Sequence, residues 1–136
     1  MRLVRLAPAL LAAAAVAAAG CGQSDDRATV RATVDRFLTA YTADEGAQAC
    51  AALSTDTRKE LESQESRPCP EAIAAVELDG GAVTRVRIAV TNAKVDLATG
   101  ESLFLSEQAS GWRISALGCR PQGAPARQPF DCELEA

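Results

Sequence analysis

The sequence predicts an α+β domain in which amino-terminal helices pack on a curved antiparallel sheet. In the first half, Val30, Val34, Phe37, Leu38 and Tyr41 recur at helical spacing and fall on one stripe at about 100° per residue. Beyond Asp79-Gly80-Gly81 the period becomes two, with Thr84, Val86, Ile88 and Val90 alternating against Arg85, Arg87 and Ala89. The third observation is size: 136 residues with 48% hydrophobic content suit one domain, and no repeat or long linker divides it.

The elements follow in order. Ser24, Asp25 or Asp26 is expected to cap the first helix, and Thr42 to Gly46 ends it. A second helix spans about Glu45 to Leu53 and turns Ala49, Cys50 and Leu53 inward. Ser54-Thr55-Asp56 caps a third, polar helix to about Gln64. Pro70 opens a fourth, which Ala72 to Leu78 continues. After the first strand, Val95 and Leu97 lead to a turn at Ala98-Thr99-Gly100. Leu103, Leu105 and Ala109 then alternate with Ser102, Phe104 and Ser106. Ser110-Gly111 reads as a hairpin turn, and Trp112, Ile114 and Ala116 alternate onward. Gly118 to Pro129 holds three prolines and two glycines, which predicts an irregular surface loop.

The first twenty residues are expected to be an address rather than part of the fold. Arg2 and Arg5 precede an apolar run from Leu6 to Ala19, shorter than the ~20 residues that a membrane-spanning helix needs. Ala18-Ala19-Gly20-Cys21 resembles the lipobox of bacterial lipoproteins, with Ala18 where that family usually has leucine. The resemblance implies cleavage before Cys21 and a diacylglyceryl group on its sulfur. An ordinary secretory cleavage at Ala17-x-Ala19 would instead leave Cys21 a free thiol. Parity favours the lipoprotein, because four cysteines then remain to pair. Four segments are therefore expected: a signal peptide (1–20), a lipidated tether (21–26), the α+β domain (27–117) and a disulfide-stapled loop and tail (118–136). The chain is expected to be exported and held on the outer face of the cell membrane, or on the outer membrane where there is one. Its first partner is membrane lipid through Cys21.

Cys50, Cys69, Cys119 and Cys132 allow three pairings. Cys50–Cys69 and Cys119–Cys132, each within one half of the domain, are the favoured pair. The cross pairings, which would join helices to sheet, stay open. Metal or redox use is disfavoured: there is no C-x-x-C, no histidine, and no zinc-like spacing.

The absence of histidine also excludes Ser-His-Asp and Cys-His pairs. A net charge of −4, about −6 once Arg2 and Arg5 are removed, argues against nucleic acid as a partner. Glu60, Glu62 and Glu65 form an acidic cluster without a calcium loop, and Asp131, Glu133 and Glu135 read as a solvated tail. Arg85 and Arg87 share a strand face, where they serve either solubility or an acidic ligand.

Phe37, Leu38 and Tyr41 of FLTAY, the turn Asp44-Glu45-Gly46 with Ala47 and Cys50, and Gly111-Trp112-Arg113-Ile114 resemble the nuclear transport factor 2-like superfamily. That superfamily includes polyketide-cyclase-like and ketosteroid-isomerase-like domains. The resemblance covers about Asp26 to Leu117 and implies a cone in which helices close over a curved sheet around a pocket. Candidate lining residues are Phe37, Tyr41, Ile88, Phe104 and Trp112. Enzymes of the superfamily use Asp, His or Tyr inside the cone; here only Tyr41 lies on the apolar stripe, and Asp35 lies off it. No catalytic residue, metal or cofactor is assigned. The expected function is a non-catalytic, lipid-anchored module for a small apolar ligand or an envelope protein. The alternative is a small isomerase or cyclase acting by proton transfer with Tyr41.

Overall fold

The computed structural model describes residues 21–122 and 130–136. The expected signal peptide and the prolines at 125 and 129 lie outside the described residues. Helices α1 (Cys21–Thr42), α2 (Gly46–Ala51), α3 (Thr55–Glu65) and α4 (Cys69–Ala72), then a 3₁₀ turn at Ile73–Ala75, precede the strands. The strands are β1 (Val83–Ala89), β2 (Asn92–Leu97), β3 (Ser102–Gln108), β4 (Gly111–Pro121), β5 (Phe130–Asp131) and β6 (Leu134–Glu135). They form an antiparallel sheet in the order β1-β2-β3-β4-β5, with β6 also on β4, and it does not close on itself. The fold is α+β, with helices before sheet.

Helix α1 buries Val30, Val34, Phe37 and Ala40 and leaves Leu38 and Tyr41 half-buried at the stripe's edge. Thr33 is buried among them and stays satisfied because its hydroxyl donates to Thr29 O at 3.0 Å. The helix ends in a Schellman arrangement. Glu45 N donates to Ala40 O and Asp44 N to Tyr41 O, with Asp44 in the left-handed region at φ 57°. Helix α1 corrects the expected cap: residues 21–26 are already helical, so Ser24, Asp25 and Asp26 lie within the helix. Neither proline nor paired glycine interrupts that run, and Thr29 Oγ1 donates back to Asp25 O. Gly22 to Asp26 thus rises only about 8 Å, where an extended tether would reach about 17 Å.

Ser54 caps α3 by accepting from Thr57 N at 3.1 Å. The same serine's amide donates to Ile114 O, and Ile114 N donates to Ala52 O, so the α2–α3 junction is sewn to the edge of β4. Glu62, one of the clustered acids, accepts from Cys69 N at 3.0 Å and so satisfies the first amide of α4. Helix α4 is one turn long and yields to the 3₁₀ turn, well before the expected end at Leu78. Gly46 lies so close to α4 that a Cβ there would fall 2.0 Å from Pro70 O. Both expected disulfides are present, Cys50–Cys69 and Cys119–Cys132.

Three strand details differ from the alternation rule. Val90, expected inward, is 89% exposed at φ 58°. The Ala89↔Asn92 register leaves Val90 and Thr91 as the two-residue turn, and such hairpins need positive φ. Likewise Thr84 is exposed, beside a register shift, and Ala109 is exposed in the β3–β4 turn. Strand β4 runs on through Gly118 to Pro121, where a loop was expected. Proline is tolerated there because it ends the strand and pairs only with the two-residue β5. Register shifts around Phe104 set Ala116 opposite Phe104 and keep Leu105 opposite Ile114.

Candidate functional site

A groove of about 570 Å³ lies between α1, α2 and the start of β4. Ala40, Ala51 and Ala52 supply small apolar walls, Thr33 and Thr39 hydroxyls, and Arg36 and Arg113 two guanidiniums. Arg36 is on the turn of α1 just ahead of the buried Phe37, and Arg113 sits between the inward Trp112 and Ile114. Arg36 Nη2 donates to Thr33 Oγ1 at 3.4 Å, and Arg113 Nη1 to Trp112 O at 3.0 Å. Neither pairs with a carboxylate among the described residues. Asp35 and Glu45 also line the groove, both exposed. The volume lies within the range of small-molecule sites, roughly 300–1,000 Å³.

Among the described residues, the five candidate lining residues are divided between the core and two separate depressions. Phe37 and Trp112 are buried in the core, and the indole N–H of Trp112 has no acceptor among the described residues. Tyr41 borders a separate depression of about 300 Å³ with Asp44, Gly46 and Pro70. Its hydroxyl donates to Val76 O at 2.7 Å, so that proton is already committed. Ile88 and Phe104 border a third depression of about 500 Å³, with Arg27, Arg87 and Lys94. Phe104 also meets Phe130 edge-on at 5.1 Å, and Lys94 Nζ lies 4.5 Å over the Phe130 ring. Arg87 is paired with Asp96 at 2.8 Å, and Lys94 reaches the same carboxylate at 2.9 Å. Burial opposes ionisation of Asp96, yet hydrogen bonds from Lys94 and Ser102 hold its carboxyl below the ordinary range.

One buried carboxylate escaped the sequence reading. Glu101 is 1% exposed; its Oε2 accepts from Asp79 N and Gly80 N, both at 3.0 Å. Its Oε1 has no partner among the described residues, and a Cβ on Gly118 would fall 3.2 Å from it. The signal was present, since Glu101 is in phase with the inward Leu103 and Leu105. Burial pushes its carboxyl above the ordinary glutamate range, against the Gly80 hydrogen bond and the nearby Arg120 charge. Such a raised acid is a candidate base wherever substrate reaches it, but here the carboxylate is closed off from solvent.

This burial has a pH consequence. The folded state holds the Glu101 proton more tightly than the unfolded chain does. Its contribution is therefore most favourable at low pH and declines as pH rises from the ordinary glutamate value through the folded one. Glu101→Gln, which keeps an acceptor for both amides, is expected to flatten that decline in urea midpoints measured across acid pH. An unchanged slope would show that Glu101 does not titrate in this way. Glu101→Ala orphans two buried amides and is expected to lose about 2 kcal/mol.

Among the described residues no three acidic or sulfur side chains cluster to hold a metal, and no helix is long and apolar enough to cross a membrane. No known protein family, curated protein sequence or solved structure matches the chain.

Proposed function

We propose that the chain is an exported, lipid-anchored module that binds a small anion with an apolar body in the α1–α2–β4 groove, without catalysis. The observation that carries the reading is the pair of guanidiniums, Arg36 and Arg113, lining a small-residue groove without carboxylate partners among the described residues. An arginine so placed offers charge-assisted donors to a carboxylate or phosphate, and the alanine walls suit a hydrocarbon body. Location rests on sulfur. Four of the five cysteines are paired with one another, which suits an oxidising compartment and leaves Cys21 for the thioether that its lipobox context implies. Helices set before a sheet with shifted registers agree with the cone that the nuclear transport factor 2-like resemblance implies. Against the isomerase alternative stand the committed hydroxyl of Tyr41 and the closed surroundings of Glu101.

The test is calorimetric titration of the matured protein with decanoate and with decanol. Decanoate should bind at least about tenfold more tightly, and Arg36→Ala/Arg113→Ala should erase that difference, as expected for a charge-assisted contact of ~1.5–3 kcal/mol. Equal affinity for acid and alcohol would refute the groove assignment. A mature mass lacking the diacylglyceryl group would refute the anchor.

A further inference from the structure

The cations of this chain are unevenly placed. Arg27 and Arg31 on α1, Arg85 and Arg87 on β1 and Lys94 on β2 gather along one edge, where Arg31 donates to Val83 O at 2.8 Å. Asp25, Asp26 and Asp96 lie among them, Asp96 paired with Arg87 and Lys94, and Glu107 stands beside the hairpin tip, where its amide donates to Thr91 O at 2.8 Å. After loss of Arg2 and Arg5, the rest of the chain keeps seven cations against fourteen carboxylates. The molecule is therefore strongly polar in charge, with one basic edge on an acidic body.

Two further observations lie on that edge. Arg27 borders the same depression as Ile88, Ala89 and Asn92, so the β1–β2 hairpin tip lies beside the first turns of α1. At that tip Val90 is 89% exposed, an apolar β-branched side chain at positive φ where glycine or asparagine would be unstrained. Because α1 is helical from Cys21, Arg27 stands only about 9 Å along the axis from the lipobox cysteine. That distance is comparable to a Debye length of ~8–10 Å.

We propose that this edge docks the domain on an anionic phospholipid surface, with the Val90 tip dipping into the headgroup layer. The docking rests on the anchor reading above: the lipid on Cys21 supplies the tether, and the basic edge sets the orientation. A second copy pairing along the exposed edge of β1 is the competing occupant, and Arg85 and Arg87 on that strand oppose it by like-charge repulsion.

The experiment uses the full chain, matured in bacterial membranes and reconstituted into vesicles of phosphatidylglycerol or phosphatidylcholine, after its mature mass has been measured. Amide exchange at Ala89 to Asn92 should slow about fivefold or more in phosphatidylglycerol, the effect of holding even one cation at an anionic surface. Roughly 0.5 M salt should abolish the slowing. So should Arg27→Ser/Arg87→Ser, with exchange in β3 and β4 unchanged as the check on folding. Equal exchange in the two lipids, from protein of diacylated mass, overturns the docking alone. Protection that depends on protein concentration and not on lipid charge overturns it in favour of the second copy. A mass without the diacylglyceryl group overturns the anchor reading and the docking with it.

Discussion

Phe37→Ala is expected to remove about 4 kcal/mol of stability, the largest single-residue effect foreseen for this domain. Phe37 is fully buried in the core cluster and stacks on Tyr41 at a centroid distance of 6.1 Å. Truncation loses the transfer energy of the ring and leaves a cavity beside Val34 and Ala40, which the sheet packed against α1 cannot readily fill. Since net stabilities of small domains are about 5–15 kcal/mol, such a loss leaves the fold marginal. Urea unfolding followed by circular dichroism should show a large fall in midpoint with little change in slope. A loss under ~1.5 kcal/mol would mean that the site collapses or that Phe37 is not a core residue in solution.

The second large effect concerns sulfur. Removing one staple with Cys50→Ala/Cys69→Ala is expected to lose about 3 kcal/mol, the chain-entropy value for a closed loop of this size. The linked residues are 19 apart, and the loop between them carries α3. The elements at its two ends need the link. Helix α2 has six residues and α4 has four, far below the ~12–15 at which an isolated helix becomes even marginal in water. Both sulfurs are buried where α2 meets α4, beside the close approach of Gly46 to Pro70. Thermal unfolding under oxidising conditions should shift down by roughly 12 °C. Wild-type protein unfolded in reductant should fall at least as far, because both staples open. An unchanged melting temperature in reductant would mean that the cysteines are not bridged in the protein as made.

Much of this architecture was legible in one dimension. The apolar stripe of α1, the Ser54 cap, the Asp79-Gly80-Gly81 boundary and the change of period beyond it all depend on neighbours within a turn or a strand. The Cys50–Cys69 and Cys119–Cys132 links were favoured for the same local reason, since each closes within one half of the domain. Departures arose where distant segments meet. Strand β4 continues through Gly118 to Pro121 because β5 and β6 return to pair with it, a contact that composition does not encode. Val90 left the alternation because a two-residue turn must fall somewhere, and strand register rather than hydrophobicity chose the place.

The candidate site was less legible than the fold. Phe37, Tyr41 and Trp112 carry the apolar signal that pocket reasoning looks for, yet the same signal marks residues that fill a core. Arg36 and Arg113 carried no pattern: they are 77 positions apart in sequence and share a groove only because α1 packs near the start of β4. Glu101 was in phase with two buried leucines, but only the placement of Asp79 and Gly80 above it supplied the donors that let a carboxylate stay inside.

What the chain determined by itself is therefore whatever depends on local spacing: helices before strands, the change of period between them, and four sulfurs placed to close two short loops. What tertiary structure alone decided is which polar groups stand together, namely the Arg36 and Arg113 guanidiniums in one groove, the closed carboxylate of Glu101, and the Arg87 and Lys94 cations on Asp96. The reason is physical. Hydrophobic period follows from the geometry of one helix or strand, whereas the meeting of charges requires several elements to pack before their side chains come within reach.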